Sequence, residues 1–325
     1  MKFLGRRLVH AALLLWGVSA LCFLFTQMAP GSFFDEMRLN PQISPQTLSA
    51  LRVSYGLDQP LLVRYVKWMR SLAHGDLGYS MAYNTSVAPL LWTRAKHTLL
   101  LTTTATFLTW LFAVPLGVWS ANCRSGWFDK LVAIGSSFLI SVPEIVIAVA
   151  LLAFAVRWRA LPVGGMMSAG FDQLSTWGRL QDVVLRMLLP TSILVLAGIA
   201  VVIRHIRASV LEVLDAPYIQ VARGHGISHA RLLFRHVLPV AANPSISLFG
   251  FSLAALLSGS LLVEVVTGWP GLGPLILDAT LSRDLYLVIG GIMFSAVFML
   301  GGNFIADLLL LASDPRIRSE AGDGE

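Results

Sequence analysis

The chain has 325 residues, 56% of them hydrophobic and only 13% charged, with a mean hydropathy of +0.72 and a formal net charge of +6. Soluble domains carry about 25% charged residues, so a water-solvated globular enzyme is excluded. Uncharged windows of about 20 residues, enough to cross a hydrocarbon core of about 30 Å, mark an integral membrane protein.

Six helical spans are predicted, over residues 8–28, 98–121, 131–156, 187–203, 245–266 and 285–311. Only helices or closed barrels satisfy the backbone in lipid, and the ten-residue alternation of a barrel strand is absent. Lys2, Arg6 and Arg7 precede the first span. Its apolar run exceeds the core of a signal peptide and no small-x-small site follows, so it is read as uncleaved. Residues 29–97 form an external insertion to a single membrane domain that covers 1–325. Within it, Ser44-Pro45 reads as a helix start and Gly56 as a stop. A second helix after Pro60 places Leu61, Tyr65, Trp68 and Leu72 on one face, beside Leu62 and Met69. Arg64, Lys67 and Arg70 fall on the other side, an interfacial pattern.

Pro115 and Pro143 remove backbone donors and are expected to kink the second and third spans. The fourth, held between Arg186 and Arg204, is the shortest. Gly290-Gly291 and Gly301-Gly302 are expected to bring the sixth close to a neighbour. Glu144 follows Pro143 inside the third span; as an intramembrane acid it lines an aqueous pathway or bonds to a neighbouring helix. Glu264 is expected to be solvated near the outer end of the fifth span. Cys22 and Cys123 read as small apolar residues, neither a disulfide nor a metal pair.

Orientation rests on Lys and Arg. With the amino terminus inside, the two sides tie at twelve each. The rule applies to loops shorter than about 60 residues. Setting the long 29–97 segment aside leaves twelve against five, which favours cytoplasmic amino and carboxyl termini and a cytoplasmic 204–244 loop. Arg157, Arg159, Arg179 and Arg186 in an external loop run against it.

That 204–244 loop is polar and rich in Arg and His. Asp215 is expected to cap a short helix beginning near Ala216, with Pro217 in its first turn and Gly224 and Gly226 ending it. Ser228 caps the next helix, which carries Leu232, Leu233 and Val237 before Pro239. So short a helix persists only when packed, and Tyr218, Ile219, Val221 and Ala222 offer the apolar contact. His225, His229 and His236 lack a carboxylate or thiol beside them, and no metal site is expected.

Gln220-Val221-Ala222, then Gly226, then Leu238-Pro239 resembles the EAA loop of permeases in binding-protein-dependent ABC importers. Gln220 stands where that motif has Glu, Val221 where it has the first Ala, and His236 where it has Ile. The resemblance continues through Gly56-Leu57-Asp58-Gln59-Pro60, Arg64-Tyr65 with Trp68, and Gly75-Asp76-Leu77-Gly78. It runs on through Leu161-Pro162-Val163-Gly164-Gly165, Trp269-Pro270-Gly271-Leu272-Gly273 and Asp314-Pro315-Arg316-Ile317-Arg318. Together these are similar to the dipeptide, oligopeptide and nickel branch.

The resemblance implies an all-α permease subunit of an importer for peptides, with nickel chelates or other small solutes as the alternative. Tyr218, Gln220, Val221, Ala222, Gly226, Leu238 and Pro239 would then couple it to an ATPase. Implied partners are a second homologous permease, two cytoplasmic ATPase subunits carrying ATP and Mg, and an extracytoplasmic binding protein. The surrounding lipid completes the setting, and no nucleic acid is involved. The chain itself has no G-x-x-x-x-G-K-[ST] loop around any of its four lysines, so no enzyme activity or bound cofactor is expected of it. An ion-coupled secondary transporter with Glu144 as its proton site is the rival reading.

Overall fold

The computed structural model describes residues 2–28, 33, 44–54, 56, 58–159 and 161–313. Most of 29–43, Leu57, the Asp314–Arg318 motif and the carboxyl terminus lie outside the described residues. The helices are α1 (Lys2–Met28), α2 (Pro45–Ser54), α3 (Leu61–Leu72), α4 (Val87–Asn122), α5 (Trp127–Ser141) and α6 (Glu144–Trp158). They continue with α7 (Thr176–Leu214), α8 (Pro217–Gly224), α9 (His229–Leu232), α10 (Leu238–Thr267), α11 (Leu272–Leu281) and α12 (Leu285–Ser313). A π-turn (Leu233–Val237) joins α9 to α10, and a hairpin of β1 (Tyr79–Ser80) and β2 (Thr85–Ser86) precedes α4. Among the described residues five helices are long and apolar enough to cross a bilayer, and the bent pair α5–α6 makes a sixth if counted as one span.

The fold comprises two compact units. Met1–Thr98 with Pro270–Val297 forms one, and Leu99–Trp269 with Phe298–Glu325 the other.

In the first unit α3 lies against α1. Phe23 meets the rings of Tyr65 and Trp68 at 5.2 and 5.3 Å, and Ser19 and Tyr65 share a 2.9 Å hydrogen bond. The expected face of α3 turns inward: Trp68 is buried and Leu61, Tyr65, Met69 and Leu72 are partly so, but Arg64 is buried beside it and Leu62 is 72% exposed. The Trp68 indole Nε1 donates to Leu77 O at 3.1 Å and holds that face in place. Arg64 follows at helical spacing, and its aliphatic stem tolerates burial. Asp284, fully buried, accepts from Ser80 Oγ at 2.7 Å and Ala82 N at 3.0 Å, and from Leu287 N at the start of α12. Gly290 and Gly291 make the expected close approach, since a Cβ there would lie 2.8 Å from Val87 and Ile276 respectively. Gly301 has open space, so close packing does not explain it. Helix α11 was not anticipated. Its signal was Leu272, Leu275, Ile276 and Ala279 on one helical face, and Leu272 N is satisfied by Thr98 Oγ1 at 2.8 Å.

In the second unit α7 is the hub against which α5, α6 and α10 pack. Thirty-nine residues make it about 58 Å long, nearly twice a bilayer core, so the fourth span, expected to be shortest, is the longest. Arg186 and Arg204 do not end it, because Arg is a good helix former and only the lipid, not the helix, excludes its charge. Helix α4 continues through Pro115. At Pro143 the expected kink is a break: α5 and α6 meet at 99°. The extended Val142-Pro143 pair ends α5, and Pro143 N-caps α6.

The four arginines on the expected outer side do local work. Arg186 pairs with Asp182 at 3.2 Å and donates to Gly164 O at 2.8 Å. Arg179 donates to Asp172 O and Leu174 O, Arg157 lies over Trp158, and Arg159 closes α6 in a left-handed conformation. Phe107, Ile134, Phe138, Phe154 and Phe251 point outward, and Trp127, Trp158 and Trp177 stand exposed at helix ends, the pattern of lipid-facing rows between interfacial aromatic belts.

A Cβ on Gly117 of α4 would lie 2.8 Å from Ile206 Cβ and 3.0 Å from Ile203 O of α7. Gly117→Ala is therefore expected to cost about 1–3 kcal/mol by overpacking, read as a lower unfolding midpoint in detergent. Gly135→Ala, where a Cβ meets nothing within 4 Å, serves as the control and is not expected to fall.

Candidate functional site

The segment between α7 and α10 is the first candidate. Helix α7 runs to Leu214 and α10 begins at Leu238, so the polar break is shorter than the 204–244 loop. Asp215 does not cap α8. It closes α7, its N donating to Leu211 O at 3.0 Å, and Ala216 takes the N-cap position without a side-chain bond. The Asp215 carboxylate is drawn instead to Arg124, 2.9 Å away. Ser228 stands at the N-cap of α9, but its hydroxyl makes no cap bond. Gly226 has φ +77°, the left-handed region that favours glycine, and turns the chain between α8 and α9. Pro239 lies in the first turn of α10, where no N–H is needed.

The burial pattern of α8 divides its expected contact set. Ile219 is fully buried and Ala222 partly so, one helical turn apart. Tyr218 and Val221 are 52% and 60% exposed on the other flank. Gln220 is exposed, and its amide donates to Asp215 O at 3.3 Å. Ile219, Leu232, Leu233 and Val237 enter one buried cluster with Ala113 and Ala121 of α4, Val202, Ile203, Ile206 and Val210 of α7, and Ala241 of α10. Leu238 is partly buried against it and Pro239 is exposed.

Polar ties that the sequence reading missed bind this segment to the α4–α5 turn. His229 Nε2 lies 2.6 Å from Asn122 Oδ1, whereas His225 turns back on its own helix, its Nδ1 3.0 Å from Val221 O. Arg207 of α7 grips Asp129 of α5 at 2.6 and 2.8 Å, while Ser120 Oγ and Ser125 N donate to the same carboxylate. The partners lie 78, 91 and 107 residues apart, beyond any local pattern. The available signal was an acid beside an apolar run in a chain with only 18 Asp and Glu.

Glu144 is the second candidate. It opens α6 at the break, and its Oε1 is buried with no hydrogen-bond partner among the described residues. Its carboxylate closes on Gly259 of α10, where a Cβ would meet Oε2 at 2.9 Å and Oε1 at 3.1 Å. Glu264, expected to be solvated, is fully buried. Its helix end is covered: Trp269 is buried beyond it, and Gly165 N donates to Gly268 O at 3.1 Å.

Apolar helices of spanning length, a broken helix pair and a polar segment keyed into the spans define a polytopic membrane permease subunit. Residues 113–319 match the family described as the binding-protein-dependent transport system inner membrane component, and residues 1–106 match its N-terminal counterpart. The chain belongs to that family. It is 32% identical to the oligopeptide transport system permease protein AppB of Bacillus subtilis (strain 168), over 97% of this chain and 98% of the relative. It is also 32% identical to the dipeptide transport system permease protein DppB of Escherichia coli (strain K12), over 98% of this chain and 99% of that one. Among solved structures, an inward-facing MetNI methionine ABC transporter chain shares the fold with a TM-score of 0.54 and 17% identity. It covers 69% of this chain and 96% of its own.

The Glu144–Gly259 contact is measurable as a coupling. Gly259→Ala alone is expected to lower stability by about 1–3 kcal/mol. Adding Glu144→Ala is expected to recover part of that, a coupling of about 0.5–3 kcal/mol in a double-mutant cycle of unfolding midpoints. Strictly additive losses would show that the two do not meet.

Proposed function

We propose that this chain is a transmembrane subunit of an ATP-driven peptide importer of the inner membrane, with both termini in the cytoplasm. A second homologous permease completes the pathway. Two cytoplasmic ATPase subunits hold ATP and Mg and do the hydrolysis, and an extracytoplasmic binding protein delivers the cargo. The chain itself carries no chemistry. Support for peptides as cargo comes from the oligopeptide and dipeptide names of relatives matched over nearly the whole length.

The observation that carries the coupling role is the two-sided α8. Ile219 is locked into the cluster of α4, α7 and α10, while Tyr218 and Val221 present apolar surface to water. Exposed apolar groups on a helix with a rigid inner face fit a groove on a protein partner. Closure of the ATPases on nucleotide moves α8, and the buried cluster carries that movement into the spans, which alternate their access. The coupling residues are Tyr218, Gln220, Val221, Ala222, Gly226, Leu238 and Pro239. Because Gln220 is folded back on Asp215 O, the contact rests on apolar shape more than on a specific polar bond. Glu144 lines the pathway at the α5–α6 break, where its buried oxygen awaits a donor.

Replacing both Tyr218 and Val221 with Asp is expected to change stability by no more than about 0.5 kcal/mol, as for exposed sites generally. Membrane insertion is kept, co-purification of the ATPases is lost and peptide uptake is abolished. Normal uptake would refute the coupling role. These point changes are cleaner than deleting 218–226, which would also remove buried Ile219. Uptake by the native protein is expected to stop on ATP depletion and to survive a protonophore; the opposite pair of results would favour ion coupling through Glu144.

A further inference from the structure

The buried carboxylate of Asp129 gathers more structure than any role described so far requires. It is 5% exposed and accepts from donors on three different elements. Ser120 Oγ reaches it from α4 at 2.6 Å, and Ser125 N from the α4–α5 turn at 3.0 Å. Arg207 comes from α7 in a two-point grip at 2.6 and 2.8 Å. A planar guanidinium meeting both oxygens fixes orientation as well as distance, unlike a single point charge. Thus α5 is registered against α4 and α7 at one atom pair.

The place of this node matters. Arg207 lies between Ile206 and Val210, both in the cluster that seats Ile219. Two further ties approach the same turn from the other side: Asn122 bonds His229 of α9 at 2.6 Å, and Arg124 pairs with Asp215 at 2.9 Å. The last pair is 59% and 60% exposed, so solvent screens it and it orients more than it stabilises. The α8–α9 segment therefore rests on α7 through apolar contacts and on the α4–α5 turn through polar ones. Displacing it without displacing α5 would break the Asp129–Arg207 grip or shear it.

We propose that Asp129 is a positioning residue that makes α5 move with α7 and the coupling segment, so that the motor stroke reaches the Pro143 break and Glu144 at the far end of α5. This rests on the coupling reading of α8. Asp129 touches neither substrate nor ATPase; it acts through Arg207. Without it α8 still docks and the ATPases still cycle, but the stroke is absorbed between α7 and α5.

The test uses the complete transporter reconstituted in vesicles, measuring ATP hydrolysed and peptide taken up on the same sample. In Asp129→Asn one acceptor oxygen remains for Ser120 or Ser125, the amide nitrogen can only donate, and the charge for Arg207 is gone. Assembly and binding-protein-stimulated hydrolysis are expected to persist, while peptide taken up per ATP falls about tenfold, within the range usual for coupling between sites. A second variant separates coupling from folding. Asp129→Leu with Arg207→Met replaces the pair by apolar packing, a change that often restores or raises stability. It is expected to recover the unfolding midpoint but not the uptake per ATP. An unchanged ratio in Asp129→Asn, or a ratio restored together with stability in the double variant, would overturn the proposal. Failure of the coupling reading would look different: Val221→Cys would not cross-link to the ATPase in the otherwise native assembly.

Discussion

Burial of Ile219 is the contact from which the α8 end of the second unit follows. Within lipid, apolar side chains gain nothing from leaving their surroundings, and helices associate through close fit and polar bonds. The spans obey that rule, with α4 and α7 drawn together at Gly117 and indole Nε1 of Trp110 donating to Ser252 Oγ at 2.9 Å. Helix α7 outruns the membrane, and where it enters water the hydrophobic effect returns. Val202, Ile203, Ile206 and Val210 then need a cover, and α8, α9 and the π-turn supply it. A short helix that could not persist alone is thereby held rigidly. Its inward flank is fixed while its outward flank stays exposed.

The α5–α6 break follows from a local rule with a distant consequence. Pro143 has no N–H to give and forces its predecessor into an extended conformation, so α5 cannot continue. The chain restarts at Glu144 after a 99° bend. Non-helical backbone at membrane depth is tolerated where protein or a water-filled cavity surrounds it. The absence of a side chain at Gly259 admits the Glu144 carboxylate to that place. One broken helix with one glycine opposite thus sets a carboxylate among apolar neighbours.

Much of this was legible in the residues, and what was not has definable physical causes. The locations of the spans followed from the length of uncharged runs, because lipid enforces that length directly. Their ends did not, because helix propensity ignores where the bilayer stops: Arg186 and Arg204 sit inside α7, and α4 begins at Val87. Gly226 and Pro239 were readable since backbone conformation is a local property. The inward face of α3 was readable, but Arg64 was placed on the other side, because its burial one turn from Trp68 is a tertiary matter that periodicity cannot anticipate. Asp215 was misassigned for a similar reason, a helix-capping residue drawn away by Arg124. Asp129, Arg207, Asn122 and His229 were invisible individually, since each matters only through a partner on another helix.

A single substitution probes the load path through α8. Ile219→Ala removes the buried anchor while leaving Tyr218 and Val221 in place, so the ATPases are expected to remain bound to the reconstituted transporter and to hydrolyse ATP. Peptide uptake per ATP is expected to fall sharply, because α8 then yields instead of pulling α7. Uptake per ATP equal to that of the native transporter, with the ATPases still bound, would contradict the lever and leave the buried cluster as packing alone.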